Sequence, residues 1–238
     1  MIELTGTETL ADLVTANPAR ARVLEGFHLD YCCNGARRLV DACAALGLDP
    51  RVVAAELIPI GPTLSDNWSS LAPAQLADHI EQTHHAYLHT ELPRLSSLLA
   101  KVNDVHGARH PELADITSTY EELRADLEPH LLKEERTLFP MIRELASSAE
   151  LPQFQCGALR NPISVMLAEH DRAGELLANL RAQTGDFGAP NDGCASYRAL
   201  FSGFAELEAD THLHIHKENN VLFPAVLRLE EERVAEVA

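Results

Sequence analysis

The stretch HLLKEERTLFP at 130–140 returns 84 positions later as HIHKENNVLFP at 214–224. Both copies read H-x2-K-E-x3-L-F-P. Within each, a histidine and a glutamate stand four residues apart, at His130 and Glu134 and again at His214 and Glu218. On an α-helix, positions i and i+4 share a face one turn apart, so an imidazole nitrogen and a carboxylate oxygen can reach toward one point. A single such pair is ordinarily an exposed polar contact. Two in register, each followed by L-F-P, call for a common purpose.

Working outward, the repeat extends to a second pair of histidines. His85 lies 45 residues before His130, and His170 lies 44 before His214. The chain therefore reads as two copies of a helix pair related by approximate two-fold symmetry. Facing helices that each send histidine and glutamate inward can build a metal site in a bundle core. Imidazole with carboxylate suits iron, zinc or manganese, whereas structural zinc favours closed Cys/His sets. Twelve histidines in 238 residues match that reading.

Around these motifs four long helices are expected, at about 73–101, 111–146, 161–183 and 195–237. Asn161 should cap the third, with Pro162 at its first position. Pro93, Pro140 and Pro224 should kink or end the helices that contain them. No sustained period-two alternation suggests a strand. The fold class is thus all-α: a four-helix bundle over 71–238 preceded by a small helical N-terminal domain over 1–60. In that domain Thr7 is expected to cap ETLADLVTA, Pro18 and Pro50 to open short helices, Asn34-Gly35 to turn, and ARRLVDACAALGL to be helical as far as Gly47. PIGPTLSDNWSS at 59–70 reads as a linker.

The balance of 19 Lys/Arg against 36 Asp/Glu gives a net charge of −17, which would repel a polyphosphate, so no nucleic-acid partner is expected. MIELTGTETLADLV lacks a signal-peptide pattern, and no run of about 18 apolar residues is present, so no membrane partner is expected either. Five unevenly spaced cysteines do not suggest a disulfide framework, and a cytoplasmic location fits them best.

At LDYCCNG (29–35), ELPRL (91–95), HLLKEERTLFPMI (130–142), NPISVMLAEHDRAGELL (161–177) and HKENNVLFP (216–224), nearly the whole chain resembles the hemerythrin-like di-iron proteins called repair of iron centres, or iron-sulfur cluster repair, proteins. The resemblance implies two non-haem irons held by His85, His130, His170 and His214 and bridged by Glu134 and Glu218, with an oxo bridge available to the ferric pair. It also implies a further ligand between the first two helices, matched here by His106, with His110 as the nearby alternative. Glu135 should point about 100° away from Glu134 and stay off the metal. His28, His79, His84, His89, His212 and His216 are expected at the surface or behind the ligands. Cys32 and Cys33 match the family's N-terminal domain and are candidates for redox or iron handling.

The function so implied is repair of iron-sulfur clusters damaged by oxidative or nitrosative stress, by iron donation rather than as a dedicated enzyme. Its partners would be damaged iron-sulfur proteins, small ligands such as NO or O2, and a second copy of the chain in a homodimer. The competing readings are an NO-, O2- or peroxide-reducing di-iron enzyme and an NO/O2-binding sensor.

Overall fold

The computed structural model describes residues 8–60 and 68–237. Among them the chain is helical, with isolated bridges but no extended strand. Four rods form the bundle. The first joins α5 (Pro73–Ile80) to α6 (Ala86–His106), and the second joins α7 (Leu113–Lys133) to α8 (Phe139–Ser147). The third is α9 (Arg160–Gln183), and the fourth joins α10 (Ala195–Lys217) to α11 (Phe223–Val237). Below these labels sit α1 (Leu10–Ala16), α2 (Ala21–Gly26), α3 (Leu39–Ala45) and α4 (Pro50–Leu57) of the N-terminal segment.

Helical periodicity sets which side chains enter the core. In α6, Leu88, Leu92, Leu95, Leu99 and Val102 are buried at steps of three and four. In α7, Ile116, Tyr120, Leu123 and Leu127 follow the same rule, and His130 and Glu134 simply continue the stripe. The motif residues therefore occupy core positions. They lie between two apolar clusters. One joins α1–α4 to α6, α7, the second half of α9 and α10. The other joins Trp68, α5, α8, the start of α9 and α11.

Three wide π-turns join the halves of the rods, at Glu81–His85, Glu134–Leu138 and Glu218–Leu222. The last two coincide with the E-x3-L of the repeated motif. Such turns insert one extra residue and recur at functional sites. They also explain the prolines. Pro140 and Pro224 stand second in the α-helical segment that restarts after the π-turn, where a missing N–H costs little. Each rod therefore continues through its proline. Pro93 does not end its helix either: it lies exposed inside α6, so water can satisfy the carbonyl it orphans.

Other local expectations need correction. Asn161 is not the cap of α9. It lies inside the helix, where its side-chain amide donates to the Cys156 carbonyl at 2.7 Å. The N–H of Leu159 is taken instead by Glu230, at 2.8 Å. Thr7 lies outside the described residues, and α1 is capped by a reciprocal pair between Thr9 and Asp12. Residues 61–67 of the expected linker are likewise outside the description, but Trp68 is buried core. The helix expected from Ala36 starts at Leu39, because residues 34–37 form the turn at Gly35.

That turn docks the N-terminal segment on the fourth rod. Asn220 donates to the Cys32 carbonyl at 2.9 Å, and His216 meets Thr15 at 3.1 Å and the Tyr31 carbonyl at 3.3 Å. A Cβ on Gly35 would stand 2.5 Å from the Tyr31 carbonyl and 2.6 Å from Asn220 Oδ1. Gly35→Ala should therefore destabilise the chain by about 1–3 kcal/mol, the usual cost of overpacking. A urea-unfolding midpoint equal to that of the parent chain would refute this close approach.

Candidate metal centre

The two H-x3-E pairs meet at mid-bundle, and His85 and His170 join them from the first and third rods. The ligand atoms fall into two overlapping sets. His85, His214, Glu134 and Glu218 make one, and His130, His170, Glu134 and Glu218 make the other, each with its donor atoms within 4.8 Å of one another. Both glutamates belong to both sets. His85 Nε2 and His214 Nε2 are 3.3 Å apart, and His130 Nε2 and His170 Nε2 are 3.1 Å apart. The imidazole-to-carboxylate distances are 3.2–3.4 Å. Two donors bound side by side to one ion through bonds of about 2.1 Å lie roughly 3.0–3.4 Å apart. The spacing is that of a ligand cage.

Burial strengthens the argument. Glu134 and Glu218 are fully buried, and none of their four carboxylate oxygens accepts a hydrogen bond. Burial opposes the ionisation of Glu218, but the facing imidazoles of His214 and His170, 3.2 Å away, outweigh it and hold the carboxyl well below its usual range. Glu134 is also lowered, although burial and the charge of Glu218 oppose the pull of His130. Burial lowers His130 in turn, but Glu134 lifts it to about 9. The cage thus demands positive charge. Without an ion, protons on His85 and His130, both held above the usual imidazole range by the facing glutamates against the pull of burial, go toward meeting that demand; cations would replace them and leave neutral nitrogen donors. The residues present fit a pair of metal ions.

Outer groups fix the rings. His85 donates from Nδ1 to Glu135 at 3.0 Å, His130 to Glu169 at 2.8 Å, and His170 to the Asn219 side-chain oxygen at 2.7 Å. Each leaves an Nε2 lone pair facing inward. His214 has no partner at Nδ1; instead its ring stacks on His84 at 5.4 Å. His84 is held between Asp210, at 2.8 Å, and Lys217, at 2.8 Å, and burial pulls it down to about 4. These partners repeat the internal symmetry. The residue after each shared glutamate (Glu135, Asn219) meets the histidine of the neighbouring rod. The residue before each of those histidines (His84, Glu169) meets the motif histidine. Sequence reasoning kept Glu135 off the metal and missed its role; aligning the two copies residue by residue would have exposed all four.

His106 does not join the cage. It ends α6, and at 1.5 Å per residue that places it on the order of 30 Å along the rod from His85. Its Nε2 lies 3.2 Å from Cys194 Sγ instead, and His110 beside it bonds Glu112 and Asp192. His89 reaches Glu135 at 2.7 Å, His79 touches Lys217, and His28 and His212 line a cavity near Cys33. His216 is not a surface residue. It is fully buried, and burial pulls it down to about 4.

The chain matches the model of the hemerythrin HHE cation-binding domain over residues 76–226, and that of ScdA_N, a domain of unknown function, over 6–60. It is 34% identical over 221 residues to the iron-sulfur cluster repair protein YtfE of Escherichia coli O157:H7, a match covering 92% of this chain and 96% of that protein. Proteins of the same name from Shigella boydii serotype 4 (strain Sb227) and Escherichia coli (strain K12 / DH10B) match to the same extent.

Two outcomes follow from this geometry. Replacing Glu218 or Glu134 with leucine should cost most of one of two bound ions and lower thermal stability, since both ligand sets lose a shared donor. Elemental analysis after reconstitution that finds full occupancy would contradict the sharing. Separately, the Tyr197 backbone N–H and the His106 ring pull the exposed Cys194 thiol down to about 7. Its alkylation rate should climb through a midpoint near pH 7, where an ordinary thiol titrates around 8.5. A midpoint at the ordinary value in a mass-resolved assay would contradict the pairing.

Proposed function

The chain belongs to the hemerythrin HHE cation-binding family, and from that premise we propose that it is a di-iron protein that restores damaged iron-sulfur clusters by giving up iron. The observation that carries the reading is the pair of fully buried glutamates whose four oxygens lack a hydrogen-bond partner and face four imidazoles. His85 and His214 would hold one iron, His130 and His170 the other, and Glu134 and Glu218 would bridge them. A mixed imidazole and carboxylate set suits iron and needs no thiolate. When bound, the pair would supply ions able to change oxidation state.

The protein's own part is to hold the cargo and to release it. Glu135, Glu169 and Asn219 accept the Nδ1 protons of His85, His130 and His170, so the inward nitrogens stay unprotonated while iron is held. The two halves differ in access. A cavity of about 250 Å³, edged by Lys133, Glu169 and Arg172, reaches His130 and His170. In the other half His84 stacks on His214 and Glu135 accepts from His85. We assign the releasable iron to the open half. There His130 Nε2 can take up a proton as iron leaves, and Glu134 favours that protonated state. The proton replaces part of the lost charge, so the emptied cage does not hold bare carboxylates.

The partner this reading requires is a protein with an iron-depleted cluster, as the relatives' name implies. The test mixes the chain, loaded anaerobically with isotopically labelled iron, with a dehydratase whose cluster has been damaged by NO or peroxide. Recovery of dehydratase activity in proportion to labelled iron lost from the chain is expected. Iron that stays bound while NO or O2 is consumed over many turnovers would replace repair with an enzymatic reading.

A further inference from the structure

A second group of ligating side chains lies outside the cage. Cys32 and Cys33 are free thiols with Sγ atoms 3.8 Å apart, and Asp30 Oδ1 is 3.2 Å from Cys32 Sγ. The three donor atoms lie within 4.8 Å of one another. Two thiolates on one tetrahedral ion, with bonds of about 2.3 Å, stand roughly 3.8 Å apart. A disulfide would need about 2.05 Å, so the observed gap is that of two ligands, not of a bridge. The loop is held ready. Asp30 Oδ1 accepts the N–H groups of Cys32 and Cys33 at 3.0 and 2.9 Å, and Asn34 donates to Oδ2 at 2.6 Å.

The surroundings favour a cation. A cavity of about 540 Å³ opens before the thiols, and Glu25, Asp171, Glu175 and Glu208 line it. Its arginine, Arg181, is already bound to Glu208. Such a concentration of one sign draws in the opposite charge.

The thiols also abut the cage. The Cys32 carbonyl accepts from Asn219 at 3.4 Å, and the same Asn219 orients His170. Gly174 stands one turn beyond His170 on α9, and a Cβ built there would meet Cys33 Sγ at 3.8 Å. Thus one wall of α9 separates the thiols from the half of the cage that opens to solvent.

We propose that Asp30, Cys32 and Cys33 form a third metal site, a thiolate station for a divalent ion passing to or from the His130 and His170 half of the cage. Two S–H bonds break, two metal–sulfur bonds form, two protons leave to solvent, and no electron moves. The passage rests on the iron-donation reading above; the site itself does not.

The test titrates Co(II) into the reduced, metal-free full chain carrying Cys194→Ala, which removes the exposed thiol at the far end of α6. Three ions per chain are expected, one of them raising a thiolate-to-cobalt charge-transfer band in the near-ultraviolet. Adding Cys33→Ser should remove that band and one ion, and leave two. Two ions with no such band, or a band that survives Cys33→Ser, would overturn the site. Folding does not confound the result, because Cd(II) should also protect both thiols of the parent chain from alkylation, and their unaltered reactivity would overturn the site equally. A chain that keeps the band but transfers no iron to the damaged dehydratase rejects iron donation and leaves the third site standing.

Discussion

Everything in this bundle answers to two fully buried carboxylates whose oxygens face four imidazoles. An uncompensated buried charge costs several kcal/mol, more than the roughly 1.5–3 kcal/mol that one buried leucine contributes. The interior of this chain therefore requires positive charge at its centre, as ions or as imidazolium protons. The two apolar clusters on either side clamp the layer in place. The four rods bring their histidines to a common height, and the outer hydrogen bonds decide which nitrogen of each ring looks inward. Remove the carboxylates and the histidines have no reason to be buried together.

The centre is symmetric in its ligands and asymmetric behind them. Glu135 and Asn219 occupy equivalent posts, as do His84 and Glu169. Asparagine at the second of these posts has a side effect that glutamate could not have. Its oxygen accepts from His170 while its amide donates to the Cys32 carbonyl, so one side chain joins the metal layer to the N-terminal segment. At the other post, His84 stacks on His214, whereas Glu169 borders the cavity that reaches His130 and His170.

What could be read in the sequence was what depends on short range. The i, i+4 spacing of His130 with Glu134 and of His214 with Glu218 is local geometry, and the repeat doubled its weight. His85 and His170 followed from matched offsets. His106 differs: the resemblance alone implies it as a ligand, and the continuous rise of α6 carries it to the far end of the rod. Pro93 misled for a related reason, because the pattern of residues does not say that the orphaned carbonyl faces water. The outer partners of the histidines were hidden because they depend on how rods pack sideways. So was the burial of His216, which the docking of the N-terminal segment produces.

The wide turns set the register of the rods on either side of the ligands. An extra residue in a helix rotates everything beyond it by about 100° relative to what came before, so it persists only where the new register is useful. The turns at Glu134 and Glu218 fall at the same letter of both copies, so each changes the register of its rod immediately beyond a shared glutamate. The first rod adds a turn of its own that ends at His85, whereas α9 runs as unbroken α-helix past His170. The ligand layer is therefore also the layer at which three rods change register, and a residue removed there would turn the apolar stripe beyond it out of its cluster.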